Sequence, residues 1–310
     1  MACAGRPSPL SVLRGTLQYP FRMLVPMAVS TWRSIRCLFT SFVYNHHIMI
    51  QGAGLSLVDT LAAEGRTSVS ALEVRERLGL SAQSASNLLA RLSRDGLVER
   101  VRRGEYLLRP LGELGVSATA SDRLAQAIAI AVGGASHRIC YRTALHEHGL
   151  LSRPGRRVQV AVARRLYVDH LGDRSLESII ERPALIHVGA EQHQQAWIST
   201  IERALLESAE TPRRVGGIAT VAEALAVSSP SPDRLVELSE ALAFAPGLRR
   251  LVSLDRQLRF GKLSEIVLSP RRGRLLPLDP ADTRTDGFID HAAGVRWPGP
   301  IEELLEVAHQ

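Results

Sequence analysis

Lysine is nearly missing from this chain: of 38 basic residues only Lys262 is a lysine, and the rest are arginine. Chemistry that needs a lysine, such as a Schiff base or a phosphate-binding P-loop, has one residue to draw on. Cysteine is scarce too. Of Cys3, Cys37 and Cys140, only the last lies beyond the first 48 positions, so it has no disulfide partner in the remainder, which fits a reducing, cytoplasmic setting. Long apolar runs are lacking as well. The uncharged run 37–58 carries Asn45, His46, His47 and Gln51, where a membrane span requires about 20 mainly apolar residues. No G-x-G-x-x-G, no G-x-S-x-G and no closely spaced aspartate pair of nucleotidyltransferase type occurs. Cys140, His146 and His148 form a C-x5-H-x-H pattern, but positions two apart on a helix do not share a face and no second pair stands at ligand spacing. His187 and His193 fall on a strand candidate and in a polar loop, and the glycine pairs 133–134 and 216–217 read as helix starts. The expectation is a protein without metal, cofactor, membrane association or enzymatic activity.

What is present is an ordinary globular composition, with 310 residues and 45% of them hydrophobic, enough for two domains. The net charge of +7 is unevenly placed. Residues 1–48 carry Arg6, Arg14, Arg22, Arg33 and Arg36 and no acid; the remainder is almost neutral. This segment is expected to be a disordered basic extension or an upstream translation artefact, with Met49 as the functional start.

Residues 49–112 have the order of a winged helix-turn-helix. Leu55, Val58, Leu61 and Ala62 repeat at helical spacing and stop at Gly65. Ser70 with Glu73 three residues on is a capping-box start for a second helix, anchored by Leu72, Val74 and Leu78 and ended by Gly79. After the turn "GLSAQ", Ser81 caps a third helix in which Ala85, Leu88, Leu89 and Leu92 form one face, opposite Gln83, Ser84, Asn87, Arg91 and Arg94. "LVERV" and "YLLRP" then form a two-stranded ribbon across "RRGE". Glutamine and asparagine have the geometry to read adenine edges and arginine to read guanine, while Arg102 and Arg103 at the wing tip are placed for phosphates or the minor groove. The expected partner is double-stranded DNA, with Ser81, Gln83, Ser84, Asn87, Arg91, Arg94, Arg102 and Arg103 as DNA-binding candidates. The competing reading is a solvated polar face beside a wing used for protein contact.

After a linker at 111–121, residues 113–310 alternate in character. "DRLAQAIAIAVGG" and "ICYRTALHEHGLL" read as helices, "RVQVAVARR" (157–165) as a strand with Val158, Val160 and Val162 on one face, and "ALIHVG" (184–189) as another strand. "AWISTIERALLESA", "GGIATVAEALAV", "SPDRLVELSEALAF" and 247–259 read as helices, with Pro232 in a first turn, and 262–269 as strand-like. The fold class expected is α+β: an N-terminal winged helix-turn-helix followed by a mostly helical α/β C-terminal domain with a small sheet.

The order of "GLVERVRRGEYLL" (96–108), "YRTALHEHGL" (141–150), "VQVAVARR" (158–165), "ERALLESAETPRRVGGI" (202–218), "LDP" (278–280) and "RW" (296–297) resembles the AbiEi family of antitoxins, the repressor partners of nucleotidyltransferase-like AbiEii toxins in abortive-infection and toxin-antitoxin operons. The resemblance spans most of 55–297. It implies a DNA-binding autorepressor that recognises inverted repeats in its own operator, and a C-terminal domain that counters a cognate nucleotidyltransferase-like toxin, directly or indirectly. Two other readings stand beside it: a stand-alone winged-helix transcriptional regulator with a C-terminal effector-sensing domain, and a nucleotide-handling enzyme with a DNA-targeting module.

Charge divides the C-terminal half. Residues 249–274 hold eight basic groups against Asp255 and Glu265, and 279–306 hold seven acids against Arg284 and Arg296. Either the basic stretch, with Arg153, Arg156, Arg157, Arg164 and Arg165, extends a nucleic-acid footprint, or these segments neutralise each other within the fold.

Overall fold

In the first helix, α1 (residues 52–63), Leu57, Val58 and Leu61 are buried. Gly54 sits where a Cβ would lie 3.0 Å from Leu88, so glycine lets this helix press closely on the third. The computed structural model describes residues 52–109 and 121–299, apart from 167, 169, 172–173, 194–195, 271–272, 274 and 285–286. The expectation for 1–48 lies outside the described residues, as does that for the linker except Ser121, which opens a helix.

A short strand, β1 (Ser68–Ser70), leads into α2 (Ala71–Leu78). Ser70 caps α2, its Oγ accepting from the Glu73 N–H at 3.1 Å, while the Glu73 carboxylate pairs with Arg66 and Arg77. Gly79 closes α2 in the left-handed region at φ 62°, where a side chain would be strained. Of the three anchors expected on α2, only Val74 is buried, and Leu72 is 54% exposed. The helix is too short to bury more than one turn. α3 (Ala82–Arg94) buries Ala85, Leu88, Leu89 and Leu92, and each leucine contributes roughly 1.5–3 kcal/mol.

The wing consists of β2 (Val98–Arg102) and β3 (Glu105–Leu108) with Gly104 at φ 79° in the turn. The sheet has three strands, not two: β1 pairs antiparallel with the far edge of β3, giving the order β1-β3-β2. "SVS" offers a single apolar residue, Val69, too little for a periodic signal.

The wing is seated on the C-terminal half. Val101 and Leu107 belong to the same hydrophobic core as Leu124 and Ile128 of α4 (Ser121–Val132), and the Arg123 guanidinium donates to the Leu108 carbonyl at 3.2 Å. Beyond α4 stands a six-stranded mixed sheet ordered β6-β7-β5-β4-β9-β8. Its strands are β4 (His137–Ile139), β5 (Arg157–Val162), β6 (His170–Leu171), β7 (Arg174–Ile180), β8 (Ala190–His193) and β9 (Ala196–Ser199). β5 pairs with β4 antiparallel and with β7 parallel, and from Val158 to Val162 it is buried on both faces.

Three expectations about this region are corrected. Residues 184–189 are not a strand: Pro183–Leu185 form one 3-10 turn, and the carbonyls that a ladder would use are taken by buried arginines. Arg203 donates to Leu185 and Val188, and Arg138 to Ile186. The helix expected from Ala196 begins only at Ile201, capped by Thr200, because Ala196–Ser199 are β9. Residues 262–269 form no strand, and Val267 stands 93% exposed.

α6 (Ile201–Glu210) is buried on every side from Arg203 to Ala209, between the sheet with α5 (Tyr141–Glu147) and the helices α7 (Ile218–Val227), α8 (Pro232–Leu242) and α9 (Ala245–Gln257). Its charged residues enter a buried network. Arg138 pairs with Glu207 at 2.9 Å and Glu181 at 2.8 Å, Arg203 pairs with Glu181, and Glu207 also accepts from the Tyr141 N–H at 2.7 Å and the Ser199 hydroxyl at 2.9 Å. A small sheet of β10 (Leu276–Pro277), β12 (Val295–Arg296) and β11 (Ile289–Asp290) closes the fold, with Trp297 fully buried and donating to Ser253 Oγ at 3.0 Å.

Candidate nucleic-acid interface

On α3 the structure keeps the expected polar face outward. Ser81, Gln83, Ser84, Asn87 and Arg94 are exposed and Arg91 is half-buried. Ser81 caps the helix, its Oγ accepting from the Ser84 N–H at 3.1 Å, and the two hydroxyls lie 2.9 Å apart. Gln83 Nε2 donates to Asn87 Oδ1 at 3.0 Å, one turn along, which aligns both amides on the same exposed stripe. A base edge offering the same donor and acceptor groups can replace that mutual bond. The exposed N-terminus of α3 adds unpaired N–H groups and the positive end of the helix dipole, both suited to a phosphate.

The wing arginines divide. Arg103 is exposed at the tip, and Arg100 is exposed on β2. Arg102, 3.9 Å from Glu105, instead turns towards α4: its Nη1 lies 2.6 Å from the point where a Cβ on Gly133 would stand. Gly133 therefore does not start a helix. At φ 61° it ends α4, and its lack of a side chain admits the arginine. Arg109 is consumed by Glu99, at 2.5 Å.

Between the wing and the C-terminal half lies an open cleft of about 950 Å³. Arg100, Arg102 and Arg103 line it from the wing and Arg164 and Arg165 from the segment after β5, against Glu105 as the one carboxylate among its described lining residues. Sequence periodicity had no means of finding this pairing, because the two arginine groups are some 60 positions apart and meet only through the tertiary packing of β2 against α4 and β6.

The other arginines proposed for a footprint lie elsewhere. Arg153, Arg156 and Arg157 line a second cavity with Arg142, Arg213 and Arg214, which sequence reading missed; the adjacent arginines of "PRRVGG" were the available signal. Within the basic stretch 249–274 only Arg250 is buried among the described basic residues, and Arg256 and Arg259 are exposed, but several of the charges are tied to the fold. Arg250 donates to the carbonyls of Pro277 and Ala209, Arg256 pairs with Asp290 at 2.9 Å, and Lys262 Nζ caps α7 through three carbonyls.

The histidines His146, His148 and His187 are held by two carbonyls and a hydroxyl. His146 Nδ1 lies 2.9 Å from the Leu151 carbonyl and His148 Nε2 2.6 Å from that of Ser199, while His187 Nε2 lies 2.7 Å from the Ser136 hydroxyl. Burial, reinforced by Glu207 nearby, pushes the Cys140 thiol well above its ordinary value, so it is not a ready nucleophile. Among the described residues no cluster of three or more His, Cys, Asp or Glu is placed to hold a metal, and no helix is long and apolar enough to cross a membrane.

Residues 55–105 match the model of the MarR family, a winged-helix family of DNA-binding transcriptional regulators. No curated protein matches the chain. Among solved structures, the RV2827C protein from Mycobacterium tuberculosis shares the fold at a TM-score of 0.59 and 17% identity, over 82% of this chain and 94% of that one. Residues 55–105 are thus similar to a MarR-family winged helix, which supports a DNA-binding regulator, and the likeness to the mycobacterial protein extends the shared fold well beyond them.

Proposed function

We propose that the protein is a sequence-specific repressor that acts as the antitoxin of its own operon. The observation that carries the DNA-binding half is the stripe of exposed Gln83 and Asn87 with half-buried Arg91 on α3, flanked by the capped helix N-terminus and the arginines of the wing. α3 enters the major groove with Gln83, Asn87 and Arg91 towards base edges, and Ser81, Ser84 and Arg94 towards phosphates. Arg103 follows the flanking backbone, while Arg102, Arg164 and Arg165 draw it into the cleft. The antitoxin half is supported by the family resemblance in the order of segments from 96 to 297. In this reading the C-terminal region serves a nucleotidyltransferase-like toxin partner and carries out no catalysis itself.

Two experiments test the halves separately. Binding of the full chain to duplexes tiled across its own upstream region, by fluorescence anisotropy, is expected to reveal one preferred segment with an inverted repeat; uniform affinity across all tiles would overturn sequence-specific repression. The neighbouring reading frame is expected to encode a nucleotidyltransferase-like toxin whose growth arrest this chain relieves on co-expression; a neighbour of another kind, or unrelieved toxicity, would remove the antitoxin role while leaving the repressor intact.

A further inference from the structure

At the start of β5 is a cavity of about 710 Å³, within the size range of small-ligand sites. Six arginines converge on it: Arg142 from α5, Arg153, Arg156 and Arg157 from the segment entering β5, and Arg213 and Arg214 from the turn before α7. Glu177 of β7 is the one carboxylate among the described lining residues, and it is already engaged, by Arg214 at 2.7 Å and by Gln159 Nε2 at 3.2 Å. No acidic side chain pairs with Arg153, Arg156 or Arg213 among the described residues.

The floor of this cavity is built. Gln159, 3% exposed, accepts from the Arg142 N–H at 3.0 Å and donates to the Arg214 carbonyl at 2.9 Å. The Arg142 guanidinium is fixed by the Val215 carbonyl at 2.8 Å and the Arg153 carbonyl at 3.4 Å. Gly155 leaves room for it, since a Cβ there would lie 2.9 Å from Arg142 Cδ. Holding this many guanidinium groups around one concavity costs free energy through mutual repulsion, and a stable neutral fold has no use for that arrangement. A compact multiply charged anion does.

We propose that this cavity binds an oligophosphate of nucleoside-triphosphate size. The arginines close round a bowl instead of forming a stripe that could follow a polynucleotide backbone, which favours a compact ligand over nucleic acid. The described lining residues include no aromatic side chain for a base to stack on, so recognition falls on the phosphates and the four bases are expected to be nearly equivalent. The site is separate from the cleft at the wing. Arg157 opens β5 and Arg164 follows its end, so the two basic centres stand at opposite ends of a six-residue strand, roughly 17 Å long at strand spacing.

The test is calorimetric titration of the full chain with inorganic tripolyphosphate and with ATP, GTP, CTP and UTP, alongside Arg156→Ala/Arg213→Ala and Arg164→Ala/Arg165→Ala. Both pairs are exposed, so the variants keep the fold, checked by circular dichroism. The expected result is saturable binding of tripolyphosphate and of all four nucleotides at one site. Arg156→Ala/Arg213→Ala should weaken it by roughly tenfold or more per arginine, and Arg164→Ala/Arg165→Ala should leave it unchanged. Absence of saturable binding would overturn the proposal, as would equal losses in both variants, which mark diffuse charge attraction. So would a loss of duplex or single-stranded RNA binding in Arg156→Ala/Arg213→Ala without any tripolyphosphate site, which would assign the bowl to nucleic acid. Operator affinity measured on the same variants keeps this outcome distinct from the repressor reading.

Discussion

Asn87 and Gln83 illustrate what a single residue can decide. Their mutual hydrogen bond holds both amides outward at no cost to the core, so truncating one leaves the fold alone and removes a pre-aligned reader. Asn87→Ala is expected to cost about 1–3 kcal/mol on the preferred duplex and to flatten discrimination at one base position, whereas Arg103→Ala should weaken all duplexes alike; competition binding on single-base variants checks both. The buried network behaves differently. Removing the Glu207 carboxylate leaves Arg138 without its fully buried counter-charge and the Tyr141 N–H without that acceptor, and the Ser199 hydroxyl keeps only the Ile139 carbonyl at 3.2 Å. Glu207→Ala should therefore destabilise the fold by about 3–5 kcal/mol in urea denaturation. His137 supplies the pH dependence. Burial, aided by His187 and opposed by the Ala135 carbonyl, lowers its pKa below the ordinary 6.5. The unfolded chain then binds a proton that the native state refuses, so stability falls as pH drops through 6.5 towards the folded value, and levels off beneath it. His137→Gln should show a shallower loss of urea midpoint between about pH 7.5 and about pH 5.5.

At the level of elements, legibility followed the locality of the signal. Caps and glycines named the start and end of α2 and the start of α3, because N-cap bonds such as Ser70 to Glu73 and Ser81 to Ser84 span only three residues, and Pro232 marked the first turn of α8. Strand β5 announced itself by alternating valines. The failures were elements whose partners are distant in sequence. β1 exists because β3 offers it an edge, and 184–189 is a turn because Arg138 and Arg203 take its carbonyls from strand β4 and helix α6. The polar face of α3 was legible since one helix carries it, and it is exposed except for the half-buried Arg91, whereas the five-arginine cleft was not legible since two distant segments make it. The shared core under the wing carries its own consequence. Leu107 is fully buried in β3 within the cluster that includes α4, so Leu107→Ala should lower stability by about 2–5 kcal/mol and shift one cooperative transition for wing and sheet together. Amide hydrogen exchange reports it: β2–β3 and β5 should lose protection in parallel, and loss confined to the wing would mean that it folds as an independent unit.

For the whole molecule, the net charge of +7 misleads until it is mapped. Part of the basic surplus is internal, as with Arg250 and Lys262, and part gathers in two places at opposite ends of β5, the wing cleft and the arginine bowl. Only the first is continuous with α3. Arg164→Ala/Arg165→Ala should therefore reduce the salt slope of duplex binding by about two, while changes in the bowl leave it as it was. The measurement closest to the centre of this account is the ratio of specific to nonspecific affinity for the Gln83→Ala/Asn87→Ala chain. It would be taken at fixed salt on a duplex selected from a random pool by the unaltered protein and on a scrambled duplex of equal length. The ratio should collapse towards one while nonspecific affinity holds; a ratio equal to that of the unaltered protein would mean that α3 does not read DNA.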